Sequence, residues 1–296
     1  MDNCVDCGVE VEDLFYERCP TCAQQTKYIR DLWDLYVSDG IVMRCNRRSE
    51  CVACEQDAGP ENYSTPVGVW YVGRLYPTAC PRVLFVGKAL NGWKTPEDAR
   101  RSPFATMTGA RPGFIQKNVI EQIILRRPHG YPYDRSPYWL RGVYRLGAGC
   151  LNLPYERRAS DREEATVQRV FDSICVTNIT KCGSNTGSGL ATPLMRVNCI
   201  RTLKLAEKEV MILRPHVVLF MTGRDYDADL AKMHFGTEDA TENLAGTDQE
   251  HDPWIWRVGE YICLRTRHPR GMSESHATCV LEKLHEVLGS GKMRGD

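Results

Sequence analysis

Short, continuous apolar runs separated by longer amphipathic stretches set the pattern of this chain. Four runs stand out: "RVLFVG", "DSICVTN", "HVVLFMTG" and "YICLRTRHP". Each is rich in aliphatic residues and ends in glycine, asparagine or a charged turn. Continuous rather than alternating hydrophobicity predicts strands covered on both faces, as in a parallel sheet. Upstream, "QQTKYIRDLWDLYVSDG" puts Tyr28, Leu32, Leu35 and Tyr36 on one helical face, with Gly40 as the stop. Further helices are expected near 113–126, over 195–213 and over 273–288. The Pro- and Tyr-rich stretch 127–158 reads as irregular, and the acidic stretch 224–257 reads as a loop insertion. This alternation predicts an α/β fold with a central, mostly parallel four-stranded sheet between helical layers, a three-layer αβα arrangement. Ligands of such sheets bind beyond the carboxyl ends of the strands. Here those ends are "GKALNGW", "TNITKC", "TGRDYD" and "RHPRG".

Composition adds a location and a partner class. The 296 residues suffice for a sizeable core, no apolar run approaches a membrane span, and the polar start "MDNCVDCGVE" is no signal peptide. A soluble, cytoplasmic protein with no membrane partner is expected, nucleoid-associated if bacterial. Net charge is zero, but its distribution is uneven. Arg100 to Arg145 holds nine Lys/Arg against two acids, while Arg224 to Glu260 holds ten acids against three bases. The basic segment is interleaved with Tyr131, Tyr133, Tyr138, Trp139 and Tyr144, a combination suited to phosphate contact and base stacking as well as to a solvated surface with some buried aromatics.

Fourteen cysteines are many for a chain in a reducing compartment, where Cys-x-x-Cys pairs point to metal rather than disulfides. Cys4, Cys7, Cys19 and Cys22 form two such pairs with eleven residues between them. Four thiolates at this spacing can close a tetrahedron around zinc. Residues 1–25 are therefore expected to be a zinc-ribbon-like segment, followed by a helical linker over 26–44 and the main domain over 45–296. Cys51 and Cys54 make a third pair with no nearby Cys-x-x-Cys to complete it. Cys182 and Cys199 are distant candidates, and two local plus two distant thiolates can hold a 4Fe–4S cluster that staples a terminal segment to the main domain; spacing alone does not establish this, since Cys45 and Cys80 compete and buried free cysteines are common.

From about Cys45 onward the order of motifs resembles the uracil-DNA glycosylase superfamily, in particular its iron–sulfur, family-4-like branch. The family order is a Cys-x-x-Cys pair, a strand ending in "VGEAPG", a Pro-Phe element, "TNVVKC", a later Cys, a "P-x-V-hydrophobic-LG" strand and "HP". This chain reads "CVAC", "FVGKALNG", "SPF", "TNITKC", Cys199, "RPHVVLFMTG" and "RHPRG" in that order. The resemblance implies Cys51, Cys54, Cys182 and Cys199 as cluster ligands, and DNA with a flipped pyrimidine as partner. It implies Asn178 as the amide that reads the base edge, beside Gly87, and His268 as donor to the O2 of the departing base. Phe104 would stack the base, with Trp93 and Phe114 as competitors. Arg270 and Met272 would occupy the DNA-intercalating loop, and Arg111 and Lys117 of the basic segment would contact phosphate.

One departure bears on the chemistry. Lys88 stands where the family has a motif-A acid, and an ammonium cannot serve as a carboxylate base. Asn91 could place the attacking water instead, and Asp98 is a more distant carboxylate. Alternatively, Lys88 attacks C1′ to give a Schiff base, or hydrolysis is lost and the protein only binds damaged or modified DNA. The expected activity is hydrolysis of the N-glycosidic bond of uracil or, given how far the elements framing the base differ, of a bulky modified pyrimidine in foreign DNA. Repair and antiviral defence are the corresponding roles.

Overall fold

The computed structural model describes residues 2–3, 10–11, 20–38, 48–59, 62–64, 71–88, 138–155, 164–184 and 191–289. Helices α1 (Pro20–Ser38) and α2 (Ser49–Ala58) precede the sheet. Strands β1 (Tyr71–Val72) and β2 (Val83–Gly87) lead to α3 (Tyr138–Cys150), α4 (Glu164–Asp172) and β3 (Ile174–Asn178). Next come α5 (Pro193–Arg196), running into a π-helical segment Val197–Thr202, then α6 (Leu205–Leu213) and β4 (Val217–Phe220). The chain finishes with α7 (Asp227–Leu230), β5 (Glu242–Asn243), β6 (Trp254–Val258), β7 (Tyr261–Arg265) and α8 (Glu274–Gly289).

These seven strands form one sheet in the order β1-β3-β2-β4-β7-β6-β5, and the described residues hold two further antiparallel pairs, Asp2–Asn3 with Glu10–Val11 and Tyr63–Ser64 with Gly183–Ser184. The four runs expected as strands are β3, β2, β4 and β7, and they pair in parallel as a contiguous central block. The sheet itself is not four-stranded and mostly parallel but mixed, because β1 adds antiparallel to β3 and the β6–β5 ribbon adds antiparallel to β7. Strand β6, but for its last residue, lies within the stretch read as an acidic loop, as do α7 and β5. Its apolar residues follow directly on that run of acids, and a two-residue turn at Gly259 (φ 55°) and Glu260 closes the hairpin Val258↔Tyr261. Positive φ suits glycine in such a turn.

Alternate side chains of each central strand enter opposite apolar layers. Leu84, Val86, Cys175, Val218, Phe220 and Cys263 face α1, α2, the π segment and α6. Val83, Phe85, Ile174, Val176, Leu219 and Leu264 face α3, α4 and α8. Helix α1 belongs to this core. Leu32 and Tyr36 are fully buried, Gln25 Nε2 donates to the Val72 carbonyl at 2.9 Å, and Tyr28 meets Tyr76 edge to face at 5.9 Å. The helix starts at Pro20, so the expected division at residue 25 falls inside it.

Two other expectations need correction. The stretch expected to be irregular contains α3, whose Gly142, Gly147 and Gly149 depress helix propensity in the sequence. These glycines sit where a Cβ would come within 2.7 Å of Pro269, 2.9 Å of Val170 and 2.3 Å of Leu281. The missing side chains let α3 approach its neighbours closely. The single helix expected over 195–213 is broken by the π turn and by Lys204 in the left-handed conformation (φ 50°).

Candidate functional site

The carboxyl ends of the four parallel strands are laced into one rim. Gly87 stands beside Asn178 in register. Beyond the strands, Ile179 N donates to Gly87 O at 2.8 Å, and Thr180 donates to Lys88 O through both N (3.1 Å) and Oγ1 (2.9 Å). On the other flank, Met221 N donates to Val86 O, Thr266 N to Phe220 O and Gly223 N to Thr266 O, each at 2.9 Å. The rim therefore reads Asn178, Gly87–Lys88, Met221–Gly223, Thr266–His268 across the sheet. Four of the expected site residues, Asn178, Gly87, Lys88 and His268, fall on it.

Asn178 ends β3 at 8% exposure. Its carbonyl accepts from Lys181 Nζ. His268 is half-buried at the start of a tight turn in which Gly271 N donates to His268 O at 2.9 Å. Met272 is also half-buried and packs against the α3/α8 layer. Gly223 (φ 64°) turns the chain out of β4 and brings Asp225 back toward β2. There Lys88 Nζ and Asp225 Oδ2 form an ion pair at 2.5 Å. Arg196 secures this corner by donating to Asp225 O at 2.6 Å and Asp229 Oδ2 at 2.7 Å, with its guanidinium 4.3 Å from the Tyr226 ring centre.

Four residues past Asn178 the chain reaches Cys182, which shares a buried core cluster with Cys51, Cys54 and Cys199. Cys51 and Cys54, one helical turn apart on α2, are buried, as are Cys182 after β3 and Cys199 in the π segment. The Cys182 thiol lies near enough to those of Cys54 and Cys199 to interact with both. These contacts push the Cys182 thiol up. The Cys199 thiol is lowered to about 7, first by the hydrogen bond from Cys182 and then by the backbone amide and ammonium of Lys181. Asn198 Nδ2 donates to Cys54 Sγ at 3.3 Å and to Glu50 O at 3.0 Å, docking α2 on the π segment. π turns are frequent at functional positions. Among the described residues no group of three or more His, Cys, Asp or Glu stands as a preformed metal cage. The donor chemistry nonetheless suits a thiolate-ligated centre: four buried thiols, the Asn198 amide donating to Cys54 and the Lys181 ammonium near Cys199. Cys80, the competing ligand, is exposed at the opposite end of β2.

Behind the cysteines is a polar knot that the sequence reading missed. Lys181 Nζ donates to Glu209 Oε2 at 2.6 Å and Thr177 Oγ1 at 2.8 Å, and Thr177 Oγ1 donates to Glu209 Oε2 at 2.9 Å. The Tyr36 hydroxyl of α1 donates to Glu209 Oε1. Burial, then the Glu209 carboxylate, holds that phenol well above its ordinary pKa. On the far flank, Arg265 grips Asp227 through two 2.8 Å bonds, Arg267 Nε donates to Asp252 Oδ2 at 2.6 Å, and Thr266 Oγ1 meets His276 Nε2 at 2.8 Å. The acidic stretch thus supplies the carboxylates that fix the strand end carrying His268. A charged residue closing the apolar run "YICLR" was the available signal.

Asn91, Phe104, Arg111, Lys117, Cys4, Cys7 and Cys19 lie outside the described residues, as do the competitors Trp93, Phe114 and Cys45. Of Cys22, in the first turn of α1, and of Arg270, in the turn Pro269–Gly271, only the backbone is described. No helix among the described residues is long and apolar enough to cross a membrane. In comparisons with known proteins, no family model and no curated protein matches the chain.

Proposed function

We propose that this protein is a DNA glycosylase of the uracil-DNA glycosylase type, hydrolysing the N-glycosidic bond of a flipped-out uracil or modified pyrimidine. The observation that carries this reading is the meeting of Asn178, Gly87, Lys88 and His268 on one rim of four parallel strand ends, with the buried Cys182 four residues past Asn178. An amide and an imidazole on opposite flanks of one rim can divide the work on a departing pyrimidine. The Asn178 amide can donate and accept along the base edge. The His268 imidazole can donate to the oxygen on which negative charge develops.

Cys51, Cys54, Cys182 and Cys199 would hold a 4Fe–4S cluster, whose contribution is to tie α2 and the π segment to the strand end carrying Asn178. The N-terminal cysteines Cys4, Cys7, Cys19 and Cys22 would bind zinc. Iron and acid-labile sulfide measured in protein purified without oxygen test the cluster; zinc without iron rejects it.

A second reading, binding of damaged or modified DNA without cleavage, is favoured by Lys88 in the place of an acid. A Schiff-base role for Lys88 is disfavoured by its 2.5 Å pairing with Asp225, since an ammonium so engaged has no lone pair for C1′. Duplex and single-stranded oligonucleotides carrying uracil or bulky modified pyrimidines, incubated with the protein and heated in alkali, decide between these readings. Strand breaks at the modified position support the glycosylase. Salt-sensitive binding with no breaks on any substrate supports the binding protein.

A further inference from the structure

We propose that Asp225 is the catalytic carboxylate of this site, relocated from the first strand end to the third, with Lys88 as its positioning partner. The proposal rests on the glycosylase reading and assigns within it the residue that activates water. The strand order puts β2 and β4 side by side at the centre of the parallel block, between β3 with Asn178 and β7 leading to His268. The Lys88–Asp225 pair therefore lies between the amide that would hold the base and the imidazole that would receive its charge. Its Oδ2 is held by Lys88 at 2.5 Å, while the Asp225 side chain remains 58% exposed, so one carboxylate face is open to water and ligand. The Asp225 backbone is fixed by Arg196 and by the turn at Gly223. The carboxylate is thus pre-positioned rather than carried on a free loop.

The charge balance also favours this assignment. A lone lysine at the rim would repel an oxocarbenium-like sugar, whereas the ion pair is neutral and keeps an exposed carboxylate on the rim. In the step, a water oxygen bonds to C1′ as its proton passes to the Asp225 carboxylate. The C1′–N bond breaks with its electron pair leaving on the base, where His268 donates to the oxygen bearing the charge. The proton returns to the base nitrogen, giving an abasic site and the free base. Lys88 touches no reacting atom; it orients Asp225.

Single-turnover cleavage of the oligonucleotide panel, with DNA affinity measured in parallel, tests this on full-length wild type, Asp225→Asn, Lys88→Met and Asn91→Ala. Asp225→Asn is expected to lose about 100-fold or more in rate, the usual range for a general base, with DNA affinity and thermal midpoint unchanged. Its rate should also lose the acid-side limb of the wild-type pH profile. Lys88→Met is expected to lose about fivefold, the scale of an exposed ion pair, and to keep that limb. An active wild type with an equally active Asp225→Asn, or loss confined to Asn91→Ala, overturns the Asp225 assignment and leaves the glycosylase reading standing. A wild type inert on every substrate overturns both.

Discussion

Two lysine–carboxylate pairs of nearly equal length sit on neighbouring strand ends and do opposite things. Lys181 and Glu209 are 2.6 Å apart with side chains 1% and 0% exposed, and Thr177, Tyr36 and the Asn178 carbonyl fill their remaining hydrogen-bonding capacity. Lys88 and Asp225 are 2.5 Å apart with side chains 18% and 58% exposed. Distance does not distinguish them; solvent does. The first pair is an internal brace joining α1, β3 and α6. The second is a surface device that water and ligand can reach.

The comparison breaks most visibly at Glu209. Glu209→Ala strands a buried ammonium and should cost about 3–5 kcal/mol, the usual penalty for removing one partner of a buried pair. Urea denaturation checks it, and a loss under about 1 kcal/mol would mean that the knot is not a brace. Gly73→Ala probes the same half of the molecule through packing alone. Its Cβ would lie 2.3 Å from the Asp172 carbonyl oxygen, and overpacking against backbone should cost about 1–3 kcal/mol. His276, buried beside Thr266 and Asp252 on the other flank, has its pKa lowered from 6.5, chiefly by burial. A depressed histidine contributes stability above its unfolded value that is lost as pH falls through the folded one. The thermal midpoint should therefore drop on acidification below pH 6.5 more steeply in wild type than in His276→Gln. The smallest effect belongs to the exposed pair. Lys88→Met and Asp225→Asn should each change stability by less than about 1 kcal/mol. A larger loss would make the pair a second brace.

The sequence carried the centre of this architecture and little of its edges. The four parallel strands were legible because burial on both faces demands uninterrupted apolar runs, and α1 and α8 because a one-sided helix repeats its apolar residues. Strand β1 has two residues and no pattern to display. Helix α3 was hidden by the glycines that allow its close packing, and β6 by the acids preceding it. At the site, Cys51, Cys54, Cys182 and Cys199 were grouped only through the resemblance in motif order, since their spacing alone does not single them out. The pairing of Lys88 with Asp225 was not, since 137 residues separate them and only the turn at Gly223 brings them together. The same holds for Glu209, an apparently ordinary acid on an amphipathic helix whose burial depends on three partners from other elements.

The central claim is tested most directly by the chemistry itself: free base released from a uracil or modified-pyrimidine oligonucleotide, identified by mass spectrometry before any alkali, for wild type beside Asn178→Ala and His268→Ala. The account predicts release by wild type with the DNA backbone intact, and a loss of about 100-fold or more in His268→Ala, the scale of a single removed transition-state donor. No free base from any substrate, or release at the wild-type rate by both variants, would contradict it.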